Sequence, residues 1–158
     1  MFLERFHEAQ ASRSAGYDTA LAEIRRGRKT SHWIWYIFPQ LAGFGRSSTA
    51  RAYAIRDLAE ACDYLRDPLL RARYEEITAA VSDQLARGIA LEDLMGSRLD
   101  ALKLVSSLTL FREASAVLSA EDPTFNPLAQ RTDLLFGYLS VQQYRPRPDT
   151  CQGIDIPP

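Results

Sequence analysis

A carboxylate, an ammonium and a hydroxyl follow one another along a predicted helical stripe, at Asp100, Lys103 and Ser107. Spacings of three and four residues put these side chains on the same face of a helix. An ammonium nearby holds a carboxylate in its ionised form, so Asp100 is a candidate general acid or base. The alternative is structural, because hydroxyls inside the apolar run Leu102–Phe111 commonly bond back to carbonyls one turn earlier.

The segment His32–Gln40 contains both tryptophans of the chain, within the run His-Trp-Ile-Trp-Tyr-Ile-Phe-Pro-Gln. Buried indole N–H and imidazole groups need hydrogen-bond partners, and these three polar aromatic side chains cannot all face one apolar core. We therefore expect Trp35 or His32 to face a cleft, where a ring could stack on a nucleobase or sugar. His32 is the second candidate catalytic residue. Core packing is the alternative for the whole segment.

The stretch Ile24–Arg56 contains seven basic residues and no Asp or Glu. Such a patch concentrates anions locally although the net charge of the chain is only −1. Within it, the loop Gly43–Thr49 combines two glycines with hydroxyls at a predicted helix start, where backbone N–H groups bind phosphate or carboxylate. A plain loop with an N-cap serine is the alternative. The candidate anion-binding residues of the loop are Gly45, Arg46, Ser47 and Ser48.

Only two of the nineteen basic residues are lysines, Lys29 and Lys103. In a chain this rich in arginine, a lysine can mark a position that needs a compact ammonium rather than a planar guanidinium, although chance is the alternative. Together with the aromatic segment, the lysines predict a pocket for a small anion carried on a flat organic group. The predicted ligand-binding residues are Lys29, Ser31, Trp33, Trp35, Gln40, Gly45, Arg46, Ser47, Ser48, Tyr53, Lys103 and Ser107.

Helical periodicity and capping signals recur along the chain, whereas strand-like alternation does not. Polar caps predict helix starts at Asp57, Asp67 and Ser97, each followed by an apolar pattern of helical spacing. We therefore predict an all-α, compact single-domain bundle of about five to eight helices in residues 1–142. Residues 143–158 are rich in proline and are predicted to form an extended or flexible tail.

The overall composition favours a soluble cytoplasmic protein. A length of 158 residues fits one domain, and no apolar run approaches the ~20 residues of a membrane span. The near-neutral net charge predicts neither a nucleic-acid nor a membrane partner. Cys62 and Cys151 are far apart and have no metal-ligand spacing, so we expect a reducing compartment and neither a metal nor a cofactor.

Three motifs together resemble those of a known family. They are the run Lys29–Leu41, the pattern Gly-x-Gly-x-Ser beginning at Gly43, and the run Asp100–Phe111. On these motifs, and over roughly residues 3–140, the chain resembles the family named domain of unknown function 1810, whose bacterial members are sometimes labelled calpastatin-like. The resemblance implies a compact α-helical fold and no established activity. Because the family's signature residues coincide with the candidate sites above, it also favours a functional over a purely structural role for them.

We therefore predict a protein that binds a small anionic molecule, most simply a phosphorylated, nucleotide-like metabolite. If it is an enzyme, we expect hydrolysis of an N-glycosidic or phosphate bond, with Asp100 as acid or base. The alternative is a non-catalytic interaction module, in which the aromatic segment is core and the basic surface docks an acidic protein partner.

Overall fold

The structure, a computed structural model, describes residues 3–141, with side chains as far as residue 139. Within this range the chain forms nine α-helices, one short 3-10 helix and no β-strand. The all-α prediction is confirmed, with slightly more helices than expected. The predicted tail, residues 143–158, lies outside the described range, and the domain boundary at residue 142 stays a prediction. Over residues 3–141, no helix combines the length and apolar character needed to cross a membrane.

The helices follow one another along the chain with short connections. Their bounds are α1 Glu4–Gln10, α2 Tyr17–Arg26, α3 Ile34–Ile37, α4 Ser48–Ala52, α5 Leu58–Arg66, α6 Pro68–Ala86, α7 Leu91–Met95, α8 Arg98–Glu121 and α9 Asn126–Val141, with the 3-10 helix Pro123–Phe125 between the last two. The longer elements start at the predicted caps. Asp67 Oδ1 accepts from the backbone N–H groups of Leu69 and Leu70, each at 3.0 Å. Ser97 Oγ accepts from the backbone N–H of Asp100 at 3.1 Å.

Helix α8 is the centre of the core and packs against α3, α5, α7 and α9. Its Phe111 ring lies 5.1 Å from the Tyr64 ring and 4.6 Å from the Tyr74 ring, measured between centroids. Aromatic side chains of this size remove roughly 150–250 Å² each from water and dominate core energetics. The core therefore holds α8 firmly, and its N-terminal turn becomes a fixed frame for Asp100 and Lys103.

The aromatic segment is joined to α8 and to the chain before α5. A single parallel bridge pairs Leu41 with Ile55, and the Ile55 backbone N–H donates to Gln40 O at 2.7 Å. The Gln40 side chain then donates from Nε2 to Lys103 O, also at 2.7 Å. These bonds lie just after α3 in the chain, and they hold its C-terminal end against the first turns of α8.

The turn between α7 and α8 lies against the backbone of Lys29. The Lys29 N–H donates to Leu94 O at 2.7 Å. Gly96, which ends α7, has a φ of 83°, in the left-handed region that favours glycine. A Cβ atom at Gly96 would lie 2.9 Å from the Lys29 carbonyl oxygen. The absence of a side chain at this position therefore lets the chain carrying Lys29 approach the start of α8.

Gly96→Ala should destabilise the fold more than Gly88→Ala. Both glycines have a positive φ, of 83° and 96°, so alanine is strained at either position, by about 1 kcal/mol. Only at Gly96 would the added Cβ meet a backbone atom, since nothing lies within 4 Å of a Cβ at Gly88. We expect urea unfolding to show a loss of at least about 2 kcal/mol for Gly96→Ala. Equal losses for the two variants would contradict a tight packing of the turn on Lys29.

Candidate functional site

Two lysines from distant parts of the chain share one carboxylate. Lys29 Nζ lies 2.8 Å from Asp100 Oδ2, and Lys103 Nζ lies 3.2 Å from Asp100 Oδ1. The side chains of Lys29, Lys103 and Asp100 are only 6%, 11% and 17% exposed. We call these three residues the lysine cluster. It joins the acid-free basic stretch to the polar stripe of α8, and its formal charge is one unit positive.

Each ammonium of the lysine cluster lies over a different tryptophan ring. Lys29 Nζ is 5.0 Å from the Trp33 ring centroid, and Lys103 Nζ is 4.4 Å from the Trp35 ring centroid. Both distances fall within the ~6 Å range of a cation–π interaction. Trp33 is fully buried and Trp35 is half-buried. Trp33 is therefore part of the core. Trp35 forms an accessible edge beside the lysine cluster.

The two ammonium groups have more N–H donors than there are oxygen acceptors beside them among the described residues. Lys29 Nζ donates to Ser31 O at 2.7 Å and forms an ion pair with Asp100 Oδ2, whereas Lys103 Nζ donates to Asp100 Oδ1. An ammonium carries three N–H donors, so the six N–H groups of the two lysines meet three oxygen atoms among the described residues. Contacts with the tryptophan rings compensate for part of this shortage of oxygen acceptors. The remaining capacity suits the oxygens of an anion.

A buried glutamate that sequence reasoning missed holds the loop that carries Lys29. Glu23 on α2 is 1% exposed, and its Oε1 accepts from the backbone N–H groups of Thr30 at 2.6 Å and Ser31 at 2.8 Å. The same oxygen accepts from Trp33 Nε1 at 3.1 Å. Burial opposes ionisation, but these hydrogen bonds outweigh it and lower the pKa of Glu23 to about 2. Glu23 therefore fixes both the turn and the buried indole.

One sequence signal for Glu23 was available. Ala20 and Ile24 lie on the predicted apolar face of α2, and Glu23 falls between them at the same helical spacing. A carboxylate on an apolar face must have hydrogen-bond donors, because an unpaired buried charge is strongly unfavourable. The donors it uses come from the following loop, and periodicity alone does not point to them.

The glycine-rich loop reaches Trp35, the ring beneath Lys103, at one point. A Cβ atom at Gly45 would lie 2.7 Å from Trp35 Cη2 and 2.8 Å from Ala50 Cβ. Both distances are too short for a real side chain, so glycine permits the loop to pack on the edge of the Trp35 ring. Gly45 thus helps to hold Trp35 in place beneath Lys103.

The hydroxyl residues of the same loop have mixed positions. Ser47 Oγ accepts from the backbone N–H of Ala50 at 3.0 Å and caps α4, which confirms the N-cap reading. Arg46 and Ser48 are exposed. Helix α4 has only five residues, too few for a strong helix-end field. A direct anion contact by Arg46 or Ser48 stays a prediction.

Ser107 lies in the core rather than at the lysine cluster. It is fully buried, and its Oγ lies 3.1 Å from the Tyr74 hydroxyl. The stripe of α8 keeps its direction, but the exposure of its side chains falls from Asp100 through Lys103 to Ser107. Helical spacing predicts the face on which a side chain lies and not its depth, so the stripe enters the core within two turns.

Tyr53 and His32 also lie apart from the lysine cluster. The Tyr53 ring packs 5.1 Å from the Tyr36 ring and 6.1 Å from the Phe6 ring. His32 is exposed, and its backbone carbonyl accepts from the Tyr36 hydroxyl at 3.2 Å. The ligand-binding role of Tyr53 and the catalytic role of His32 stay predictions.

The side chain of Gln40 contacts the backbone, and not the ammonium, of Lys103. Its Nε2 donates to Phe38 O and to Lys103 O, each at 2.7 Å. Its Oε1 and the hydroxyl of Ser106 are buried without a hydrogen-bond partner among the described residues. A serine hydroxyl in a helix commonly bonds to the carbonyl three residues earlier, which here is the Lys103 carbonyl that Gln40 occupies. Gln40 therefore supports Lys103, and its contact with a ligand stays a prediction.

Two surface grooves lie away from the lysine cluster. The first, of about 460 Å³, runs between α6 and α9 and includes Leu134 and Tyr138. The second, of about 400 Å³, runs between α2 and α6 and includes Arg25 and Glu76. Neither groove is lined by a residue of the lysine cluster. Among the described side chains, no group of three or more His, Cys, Asp or Glu could hold a metal ion.

The fold and the lysine cluster define a small all-α protein in which a buried lysine of the longest helix meets a second buried lysine from the loop after α2. The chain belongs to the family described as "Protein of unknown function (DUF1810)", whose signature matches residues 1–130. It is similar to the crystal structure of the conserved hypothetical protein Rv1873 from Mycobacterium tuberculosis, with 38% identity and a TM-score of 0.72 over 86% of this chain and 85% of that chain. No curated protein matches the chain. The family resemblance drawn from the motifs is confirmed.

Glu23→Gln should remove an acid-dependent part of the folding stability. Because the pKa of Glu23 falls from 4.5 to about 2 on folding, its ionised form stabilises the protein above pH 4.5, and this contribution is lost as the pH falls through about 2. A shift of this size corresponds to roughly 3 kcal/mol. Urea unfolding at a series of pH values should show a less stable variant at neutral pH with a flatter acid limb.

Glu8→Gln is the matched control, since it removes an exposed carboxylate of α1. It should leave the stability curve close to that of the natural chain. Parallel curves for the natural chain and Glu23→Gln would contradict the role of Glu23 as an ionised anchor.

Proposed function

We propose that the protein binds a small organic anion, a phosphorylated and nucleotide-like metabolite, at the lysine cluster. One observation carries the proposal: two nearly buried ammonium groups, Lys29 and Lys103, share a single carboxylate. A buried charge is stable only when it is paired and hydrogen-bonded. An anion that accepts from both lysines completes this pairing.

An anion would approach the lysine cluster where its surroundings are most exposed, at Asp100 and Trp35. Asp100 is the most exposed of the three charged side chains, and Trp35, beneath Lys103, is half-buried. The surrounding stretch Ile24–Arg56 carries no acidic residue, so it attracts anions toward this face. An anion can thus approach from solvent and reach the partly unpaired ammonium groups.

The half-buried tryptophan supports a ligand with a flat group. Stacking of a base on an aromatic side chain contributes about 1–3 kcal/mol. Lys103 Nζ lies 4.4 Å from the Trp35 ring centroid, so a phosphate at Lys103 would place an attached nucleoside within reach of that ring. This proximity favours a nucleotide-like metabolite over an inorganic ion.

The geometry of the lysine cluster favours binding over catalysis. Each Asp100 oxygen already forms an ion pair with a lysine, so the carboxylate orients the two ammonium groups. Hydrolysis of an N-glycosidic or phosphate bond, with Asp100 or His32 as acid or base, would require one of these contacts to be released or the exposed His32 to be recruited. Docking of an acidic protein partner is the other alternative, and it does not require Lys103.

Lys103→Met should abolish the rise in melting temperature that AMP produces by mass action. Without AMP the free energy of unfolding should change by less than about 1 kcal/mol, because Asp100 keeps its contact with Lys29. Lys103→Arg should also weaken the response, since a planar guanidinium replaces a compact ammonium. The measurement is a thermal-unfolding series with increasing AMP concentration.

Arg51→Met is the matched control. It removes the same charge from the acid-free stretch at an exposed position on α4, and it should leave the AMP response nearly unchanged. An AMP response that survives in Lys103→Met would place the binding site elsewhere. A loss of roughly 3–5 kcal/mol in stability with normal AMP binding would instead identify a purely structural ion pair.

A further inference from the structure

We infer that the lysine cluster selects an oxyanion whose single negative charge is shared by two oxygens, the chemistry of a phosphodiester. This inference rests on the proposed function and narrows its ligand. At neutral pH it ranks the doubly charged phosphate of a monoester such as AMP, which still binds at the lysine cluster, below a singly charged phosphodiester.

The charge balance of the lysine cluster carries the inference. Lys29 and Lys103 contribute two positive charges and Asp100 one negative charge, and all three side chains are at least four-fifths buried. One further negative charge makes this set neutral. A second would leave an excess negative charge where water is largely excluded and where Coulomb energies are high.

Glu23 adds a negative charge on the inner side of the same site. Its carboxylate is buried and accepts from Trp33 Nε1 at 3.1 Å, and the Lys29 ammonium lies over the face of that indole. Glu23 has its own N–H donors and does not consume those of Lys29. Its field opposes negative charge on a ligand at the lysine cluster, and the opposing energy is twice as large for a dianion as for a monoanion.

The other charged groups around the site are exposed. Arg46, Arg51 and His32 lie at the surface of the acid-free stretch, and Arg98 pairs with Glu92 at 3.1 Å beside α8. Salt screens exposed charges over about 8–10 Å at physiological ionic strength. The buried charges therefore decide which charge state of the ligand is bound, whereas the exposed ones mainly attract it.

The two ammonium groups also fit two equivalent oxygens. Each lysine binds a different oxygen of Asp100, so the ammonium groups are spaced to engage two oxygens of one delocalised anion. A lysine binds phosphate as a compact point charge. A carboxylate shares this chemistry, and the test below separates it from a phosphodiester.

The two tryptophans provide the readout, because the chain contains no others. In the ¹⁵N-labelled full chain, the two indole N–H signals report on Trp33 beside Lys29 and on Trp35 beside Lys103. Dimethyl phosphate is a monoanion throughout, whereas methyl phosphate is largely a dianion at pH 7.5 because its second pKa is about 6. We expect saturable shifts with dimethyl phosphate and a dissociation constant about fivefold higher for methyl phosphate at pH 7.5.

The difference between the two esters should disappear at about pH 5.5, where methyl phosphate becomes largely a monoanion. Dimethyl phosphate keeps its charge between these pH values, so its own dissociation constant controls for titration of His32 and other protein groups. Acetate is the third ligand. We call the preference for a singly charged anion the single-charge rule. If acetate binds as tightly as dimethyl phosphate, this rule holds, but the preferred ligand is a carboxylate and not a phosphodiester.

Asp100→Asn supplies the decisive variant. It raises the positive excess of the lysine cluster by one unit, so methyl phosphate at pH 7.5 should bind it at least as tightly as dimethyl phosphate. Lys103→Met removes the excess positive charge of the lysine cluster, so neither ester should bind to this variant. If Asp100→Asn does not fold, the comparison of the two esters at two pH values in the natural chain decides the question alone.

Two outcomes overturn the inference in distinguishable ways. If the natural chain binds doubly charged methyl phosphate as tightly as dimethyl phosphate, the single-charge rule is wrong and the proposed function stands. If no ester or nucleotide shifts either indole signal, the proposed function fails and the inference fails with it.

Discussion

The contact on which this structure depends is the two-sided ion pair of Asp100. Two lysine ammonium groups brought this close would repel each other, and the carboxylate between them turns that repulsion into attraction. It also joins the loop after α2 to the first turn of α8. The tryptophan segment lies between these two elements. Each of its two indole rings contacts a different lysine.

The rest of the molecule can be understood as support for that contact. The apolar side chains of α8 hold its axis, and the Ser97 cap fixes its first turn beneath Asp100. On the other side, Glu23 ties the turn that carries Lys29 with three hydrogen bonds to one oxygen. Because the apolar side chains of α8 and Glu23 are buried, the fold sets the separation of the two ammonium groups.

The sequence predicted the helical class and several helix starts, because caps such as Asp67 and Ser97 act within a few residues and leave a local signature. It also associated Lys29 with Lys103 through their rarity. It missed Glu23, whose donors come from the next loop. It did not predict how deeply Ser107 lies, because a helical stripe defines a direction and not a depth, and the ligand-binding role of Ser107 stays a prediction. These features depend on how distant elements pack, and local patterns in one sequence do not contain that information.

The wide separation of Lys29 and Asp100 along the chain has a consequence for how the protein matures. Closing so long a loop carries an entropic penalty that is offset only when the core around α8 has formed. The paired lysines therefore do not exist in a nascent or partly open chain. Under the proposed function, only a molecule that has completed its folding captures an anion, and occupancy would in turn slow its local opening and its exposure to proteases.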